Sequence, residues 1–153
     1  MSRRPAVALA VLTAAAVSVV PAHAATKPKP KPIKGSYTRT LLPDPTPNAT
    51  NSIGKEGCGV IPQSQDKHPF TVPAAGTLKV VLDSPNPTGN STASTDWDLY
   101  VLDADGAIMD SSHGGTSHEE TTDKLKKKQG VTFWVCNLAG EPSGTVSYTF
   151  TYA

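Results

Sequence analysis

Four aspartates lie close together in the sequence, at Asp96, Asp98, Asp103 and Asp105. The first two are two residues apart, so on a β-strand they share one face, and the other two follow in a predicted turn. Carboxylate oxygens are the ligands that calcium prefers, and it takes about six to eight oxygens. The four aspartates therefore predict a calcium site, with Asp123 as a further ligand.

A structural role explains the same aspartates without a metal. Aspartate is favoured in β-turns because its side chain accepts hydrogen bonds from the turn backbone. The spacing also fails the EF-hand pattern, since Val101 and Ser112 stand where that loop needs ligands. Both interpretations stay open from the sequence, and no other cofactor is indicated.

Two aromatic residues, Tyr100 and Trp134, are candidates for a ligand platform. An exposed pair of this kind offers a flat apolar surface to a sugar ring or a peptide. The other tryptophan, Trp97, alternates on the same strand face with Leu99 and Val101, so we assign it to the core. Trp134 would point away from its apolar neighbours in sequence, which favours partial exposure.

The segment 113–119 (His-Gly-Gly-Thr-Ser-His-Glu) combines residue types found in hydrolases and zinc sites. Neighbours on a strand point to opposite faces, however, so Ser117, His118 and Glu119 do not form a triad by adjacency. The helical spacing of common zinc motifs is also absent. A polar loop leading into a strand is the simpler interpretation, and we predict no catalytic residues.

A short basic cluster precedes Gly130, at Lys124, Lys126, Lys127 and Lys128. Lysines near a turn usually keep a protein soluble and discourage edge pairing. The alternative is an anion-binding spot.

The only two cysteines are Cys58 and Cys136, 78 residues apart. An even number of cysteines in an exported protein predicts a disulfide. Closing a loop of this length stabilises the fold by about 4 kcal/mol in the chain-entropy model. Two thiolate metal ligands are the alternative, but no further ligand stands at the required spacing.

The N-terminus predicts export. Arg3 and Arg4 precede an uncharged run, and Ala22-His23-Ala24 matches a signal peptidase site, so residues 1–24 are predicted to be a signal peptide. The apolar run is too short to span a membrane. Residues 25–53 alternate Lys with Pro and then continue rich in proline, which predicts a disordered, extended tail. This tail is either a spacer or an adhesive for an anionic cell surface.

The charge balance excludes one class of partner. Without Arg3 and Arg4 the mature chain has 12 basic and 13 acidic residues, and from Gly35 onward 8 and 13. The folded part is therefore acidic, which argues against nucleic acid as its partner.

After Ile53 the apolar residues recur with a period of two, which is typical of antiparallel strands with one buried face. The strands are bounded by Gly, Pro and Asp turns, and no stretch shows helical spacing. We therefore predict an all-β domain over residues 54–153, a small jelly-roll-like β-sandwich with one disulfide. The polar stretch from Ser84 to Thr95 is a long loop of the kind that often carries function. The alternation predicts strands over residues 70–72, 78–82, 97–101 and 146–152.

The order of motifs resembles the bacterial pre-peptidase C-terminal domain over residues 68–152. The matching features are Asp96-Trp97-Asp98-Leu99-Tyr100-Val101, the Asp–Gly turn at 103–106, and Gly130 before an aromatic strand. Members of this family are β-sandwiches that accompany secreted peptidases and assist their secretion, localisation or substrate binding. Some relatives bind collagen or calcium. Two departures are the strand 131–136, which lacks the usual tyrosines, and the absence of a preceding peptidase.

Three functions follow as expectations. The first is a non-catalytic binding or accessory module that acts outside the cell or at its surface, with a cell-surface polymer, extracellular protein or secreted peptidase as partner. The second is an inhibitor or partner of a secreted enzyme that uses the loop 84–95. The third is a small metal-dependent hydrolase.

Overall fold

The structure is a computed structural model that describes residues 28–44, 57–59, 61–85 and 95–153. The predicted signal peptide, residues 45–56 and the loop residues 86–94 lie outside the described residues. No helix within the described ranges is long and apolar enough to cross a membrane.

Two four-stranded antiparallel sheets form the described fold, which confirms the predicted all-β sandwich. Sheet A has the strand order β1-β8-β3-β6, and sheet B has the order β2-β7-β4-β5. A short 3-10 turn, Pro62–Ser64, precedes β2. The strands are β1 (Ile33–Thr40), β2 (Gln65–Val72), β3 (Gly76–Asp83), β4 (Asp96–Leu102), β5 (Ile108–Ser112), β6 (His118–Leu125), β7 (Gln129–Ala139) and β8 (Ser143–Tyr152).

The pairing of the strands is that of a jelly roll. Strand β4 pairs with β5, β3 with β6, β2 with β7, and β1 with β8. The chain is therefore a set of nested hairpins folded over into two sheets. Strands β8 and β7 also pair with β3 and β4, which completes each sheet.

The core lies between the two sheets and is built from the inward-facing residues of the long strands. Trp97, Leu99 and Val101 are fully buried there, as the alternation in β4 predicts. The Trp97 ring fits because Gly144 has no side chain: a Cβ at that position would lie 2.6 Å from the ring. The indole Nε1 donates a hydrogen bond to the Glu141 carbonyl at 3.0 Å.

Strand β1 corrects the prediction that residues 25–53 form a disordered tail. Residues 33–40 pair along their whole length with β8 and alternate between half-buried and exposed side chains. The described piece before β1, residues 28–32, is exposed and without secondary structure. Residues 41–44 after β1 also lack secondary structure, but Leu41 and Asp44 among them are buried. The sandwich therefore includes a strand that lies before the predicted boundary at residue 54.

Contacts between β1 and β2 close one side of the sandwich. The Tyr37 ring stacks on His68 with 4.1 Å between centroids, and Arg39 Nε lies 3.0 Å from Asp66 Oδ2. These contacts join an edge strand of sheet A to an edge strand of sheet B, which holds β1 in place.

The predicted disulfide between Cys58 and Cys136 is confirmed. The Cα atoms lie 5.5 Å apart, within the range that a disulfide requires. Cys136 is in β7 and Cys58 is in the segment 57–59, so the bond fixes this segment against the outer face of sheet B.

We expect Leu99→Ala to lower the free energy of unfolding by about 2–5 kcal/mol, because it leaves a cavity in a fully packed core. Met109→Ala is the control, since Met109 is exposed and its loss should change stability by less than about 0.5 kcal/mol. Urea denaturation of both variants checks this. Equal stability of Leu99→Ala and the parent would contradict the register of β4.

Candidate functional site

The structure brings together Tyr100 and Trp134, the two residues of the predicted ligand platform. The two residues are direct partners in the β4–β7 pairing, and their ring centroids lie 5.6 Å apart on the outer face of sheet B. Tyr100 is only 3% exposed, however, and Trp134 is half-buried. They pack in a small apolar cluster with the two cysteines.

Protein groups occupy much of the surface of the Trp134 ring. Its Nε1 donates a hydrogen bond to Gln65 Oε1 at 2.8 Å, and Lys67 Nζ lies 4.4 Å from the ring centroid. A Cβ at Gly57 would lie 2.6 Å from the ring, so the backbone of segment 57–59 passes close to it. The ring thus supports the segment that carries Cys58, and ligand binding at this place stays a prediction.

Asp98 lies on the same outer face and is covered. It is 5% exposed, and the Tyr100 hydroxyl donates a hydrogen bond to Asp98 Oδ2 at 3.1 Å. Burial raises the pKa of Asp98 to about 6, against the opposing effect of this hydrogen bond, and the charge of Asp96 raises it further. The carboxylate is therefore destabilised in its charged form at neutral pH.

The four predicted calcium ligands are not brought together. The pair Asp96 and Asp98 lies in the first half of β4, whereas Asp103 and Asp105 follow its end, so five residues of extended chain, about 17 Å, separate Asp98 from Asp103. Asp103 Oδ1 accepts hydrogen bonds from the backbone N–H groups of Asp105 and Ala107, which is the turn role. Calcium binding stays a prediction without a defined site.

No group of three or more His, Cys, Asp or Glu side chains within the described residues could hold a metal ion.

Burial raises the pKa of Asp96, and the charge of Glu119 adds to this. Burial also raises the pKa of Asp123 to about 6, with a contribution from Asp110. Asp123 faces inward from the edge strand β6, and inward charges on an edge strand discourage pairing with another chain.

Glu119 organises the loop before β6. It is 3% exposed and accepts hydrogen bonds from the Ser112 hydroxyl, the Gly114 N–H at 3.1 Å and the Thr116 hydroxyl at 2.7 Å. These bonds satisfy the buried carboxylate, so its visible role is to hold the loop conformation.

The two histidines of the same segment, His113 and His118, contact other residues. His118 lies on the outer face of sheet A, 2.6 Å from Asp83 Oδ1, and this hydrogen bond raises the pKa of His118. His113 stacks on Tyr100 with 6.1 Å between centroids. Glu119 and His118 thus face opposite sides of β6, so this segment does not assemble an acid–base relay.

Only the ends of the predicted loop 84–95 are described. The Ser84 hydroxyl donates to the Ser143 carbonyl at 2.7 Å, and the Thr95 hydroxyl donates to the Pro85 carbonyl at 3.2 Å. The first bond anchors one end of the loop to β8, and the second joins the two ends of the loop to each other.

The outer face of sheet A is a surface that the sequence analysis missed. Seventeen side chains point outward from its four strands, and ten of them are Ser or Thr. None of the seventeen is buried, and Val81 is the only apolar one among them. The ten are Ser36, Thr38, Thr40, Thr77, Thr122, Ser143, Thr145, Ser147, Thr149 and Thr151.

Strand pairing arranges these hydroxyl groups in rows across the sheet. Thr38 and Thr145 are direct partners, and their hydroxyl oxygens lie 3.0 Å apart. A second row runs Ser36, Ser147, Val81 and Glu120. We call this surface the hydroxyl face.

The two ends of the hydroxyl face carry different charged residues. Lys34 and Lys79 flank Thr149 in one row, and Lys124 lies in the next row beyond it. Asp83, paired with His118, lies toward the opposite end. Lys79 also pairs with Glu120 at 2.7 Å.

Comparisons with known proteins give distant structural similarities alone. No protein-family model matches the chain, and no curated protein sequence matches it. Among solved structures, the pre-peptidase C-terminal domain of a collagenase from Bacillus anthracis aligns at 14% identity over 77% of this chain and 85% of that domain, with a TM-score of 0.40.

Two further solved structures align at a similar distance. The Yersinia pseudotuberculosis-derived mitogen has 17% identity over 80% of this chain and 88% of that one, with a TM-score of 0.41. An antigen and type I fimbria protein of Burkholderia pseudomallei has 14% identity over 80% of this chain and all of that one, with a TM-score of 0.29. Similarity at this level assigns neither a family nor a function.

The raised pKa of Asp98 gives a prediction about stability and pH. Below the pKa of an unfolded aspartate, about 4, the Asp98 carboxyl is protonated in both the folded and the unfolded protein, so it does not reduce the free energy of unfolding. As pH rises from about 4 to 6, the unfolded state ionises first, so folding becomes less favourable. We expect Asp98→Asn to increase the free energy of unfolding by about 1–3 kcal/mol at pH 7 and by little at pH 4.

Denaturation of the Asp98→Asn variant at both pH values measures this difference. Asp105→Asn is the control, because it makes the same substitution at an exposed carboxylate in the turn. A variant that is destabilised at pH 7 would show instead that the charged form of Asp98 is needed, as a bound cation would require.

Proposed function

We propose that this chain is an exported, non-catalytic binding module that holds a polar extracellular polymer on the hydroxyl face. The observation that carries this proposal is the composition of that face, where ten of seventeen outward side chains are Ser or Thr and none is buried. A polymer chain lying across the strands would meet hydroxyl groups from successive strands.

Hydroxyl side chains suit such a ligand physically. Each hydroxyl can donate one hydrogen bond and accept others, so the face can match a ligand that carries both kinds of group. The side chains are short and fixed on a paired sheet, so little conformational entropy is lost when a ligand binds.

The two outer faces of the sandwich differ in how exposed their side chains are. Sheet B packs Tyr100, Trp134 and the disulfide-bearing segment 57–59 into an apolar cluster. The outward residues of sheet A are exposed or half-exposed along all four strands. This contrast favours the hydroxyl face as the binding surface.

The disulfide and the sequence of the N-terminus support export. Disulfides persist in oxidising compartments outside the cytosol, and residues 1–24 match a signal peptide. The polar cluster around Glu119 is used to hold a loop, which supports a binding function without catalysis.

The proposal is tested by co-sedimentation of the mature, disulfide-bonded chain with the insoluble cell envelope of its own organism. We expect Ser147→Gln, in the middle of the hydroxyl face, to weaken binding at least tenfold because the longer side chain keeps the ligand away. The matched control is Ser111→Gln, which points outward from sheet B and should bind like the parent. Loss of binding by Ser111→Gln alone would contradict the proposal.

A further inference from the structure

The structure carries a more specific inference, which rests on the proposed function: we propose that the polymer on the hydroxyl face is a polyanionic glycan, a sugar chain bearing carboxylate or phosphate groups. The glycan would bind at the end of the hydroxyl face where lysines are concentrated. The hydroxyl groups would then bind the sugar units, and the lysines would bind the anionic groups.

Lysines are concentrated at this one end of sheet A. Lys34 is the second residue of β1, Lys79 lies two strands away in a direct row with it, and Lys124 stands diagonally across from Lys79. Neighbouring strands are about 4.8 Å apart, so Lys34 and Lys79 are separated by about 10 Å. These three cations surround the hydroxyl groups of Thr149 and Thr122.

Two flanking segments carry further lysines. Exposed Lys126 and Lys128 follow the end of β6, and Lys29 and Lys31 stand in the exposed piece that leads into β1. Lys127 instead lines a cleft with Asp103 and Asp105 of the turn after β4. Of the nine lysines within the described residues, seven therefore belong to this end of sheet A or flank it, and the two exceptions are Lys67 on sheet B and Lys127.

Most of this charge is not neutralised by the face itself. Lys79 pairs with Glu120, but neither Lys34 nor Lys124 has an ion-pair partner within the described part of the chain. The chain from Gly35 onward is acidic, so the concentration of lysines at one end is a local feature. Such a patch attracts anions by long-range electrostatics and by charge-assisted hydrogen bonds.

The side chains between the lysines favour a glycan over other polyanions. Single-stranded nucleic acids are held by aromatic side chains that stack on bases, and no outward side chain of sheet A is Phe, Tyr or Trp. The one aromatic ring among them, the His118 imidazole, is paired with Asp83 toward the opposite end of the face from the lysines. Insertion into a lipid surface needs exposed apolar residues, and Val81 is the only one on this face. Rows of hydroxyl groups match the alternating donors and acceptors of a sugar chain.

The test measures binding of the mature, disulfide-bonded chain to alginate, a carboxylated polysaccharide, by biolayer interferometry at several NaCl concentrations. We expect affinity to fall with salt, and Lys34→Gln and Lys124→Gln each to weaken it about fivefold, near 1 kcal/mol per cation. Lys67→Gln makes the same charge change on sheet B and should leave affinity unchanged. Neutral dextran and duplex DNA serve as comparison ligands.

Each outcome distinguishes this inference from the proposed function. Salt-dependent alginate binding that is lost in the two face variants and kept in Lys67→Gln supports it. Equal binding of dextran and alginate, with no effect of the lysine changes, overturns the anionic ligand and leaves the proposed function standing. Tighter binding to duplex DNA than to alginate overturns the glycan in favour of nucleic acid. If the chain also fails to bind the cell envelope, both proposals are wrong.

Discussion

The packing of Trp97, Phe133 and Phe150 between the two sheets is the interaction on which the rest of the structure depends. Each of these side chains is fully buried, and burying one contributes about 1.5–3 kcal/mol. Because strand side chains alternate strictly, this core fixes which residues face outward. A slip of one residue in β8 would bury Thr149 and expose Phe150, so the hydroxyl face is a consequence of the core.

The local alternation of apolar residues was enough to predict most of the sandwich. Strands β3, β4 and β8 have long apolar stripes, and the disulfide followed from the number of cysteines. Strand β1 was missed because two of its four inward positions are Gly35 and Arg39, which break the apolar pattern. Gly35 is needed there because the Tyr148 ring of β8 occupies the space that a side chain would fill. Only the neighbouring strand explains that residue.

The candidate sites depended on information that local sequence does not contain. Asp96 and Asp105 are close in sequence, but the intervening strand is extended and separates them, so closeness in sequence did not make them neighbours in space. Asp98 lies on the outward face that alternation predicts, yet it is buried because other parts of the chain cover that face. The hydroxyl face could not be predicted, since it exists only when β1, β8, β3 and β6 lie side by side. The polar alternation within each strand looked like an ordinary solvent-facing surface.

Binding of a ligand to the outer face of sheet A can be mapped residue by residue with NMR. The isotopically labelled, disulfide-bonded chain would be titrated with short alginate oligosaccharides while its backbone amide shifts are followed. We expect shifts to change along β1, β8, β3 and β6, with the largest changes near Lys34, Thr149 and Lys79. Changes confined to sheet B, around Ser111 or Trp134, would contradict it.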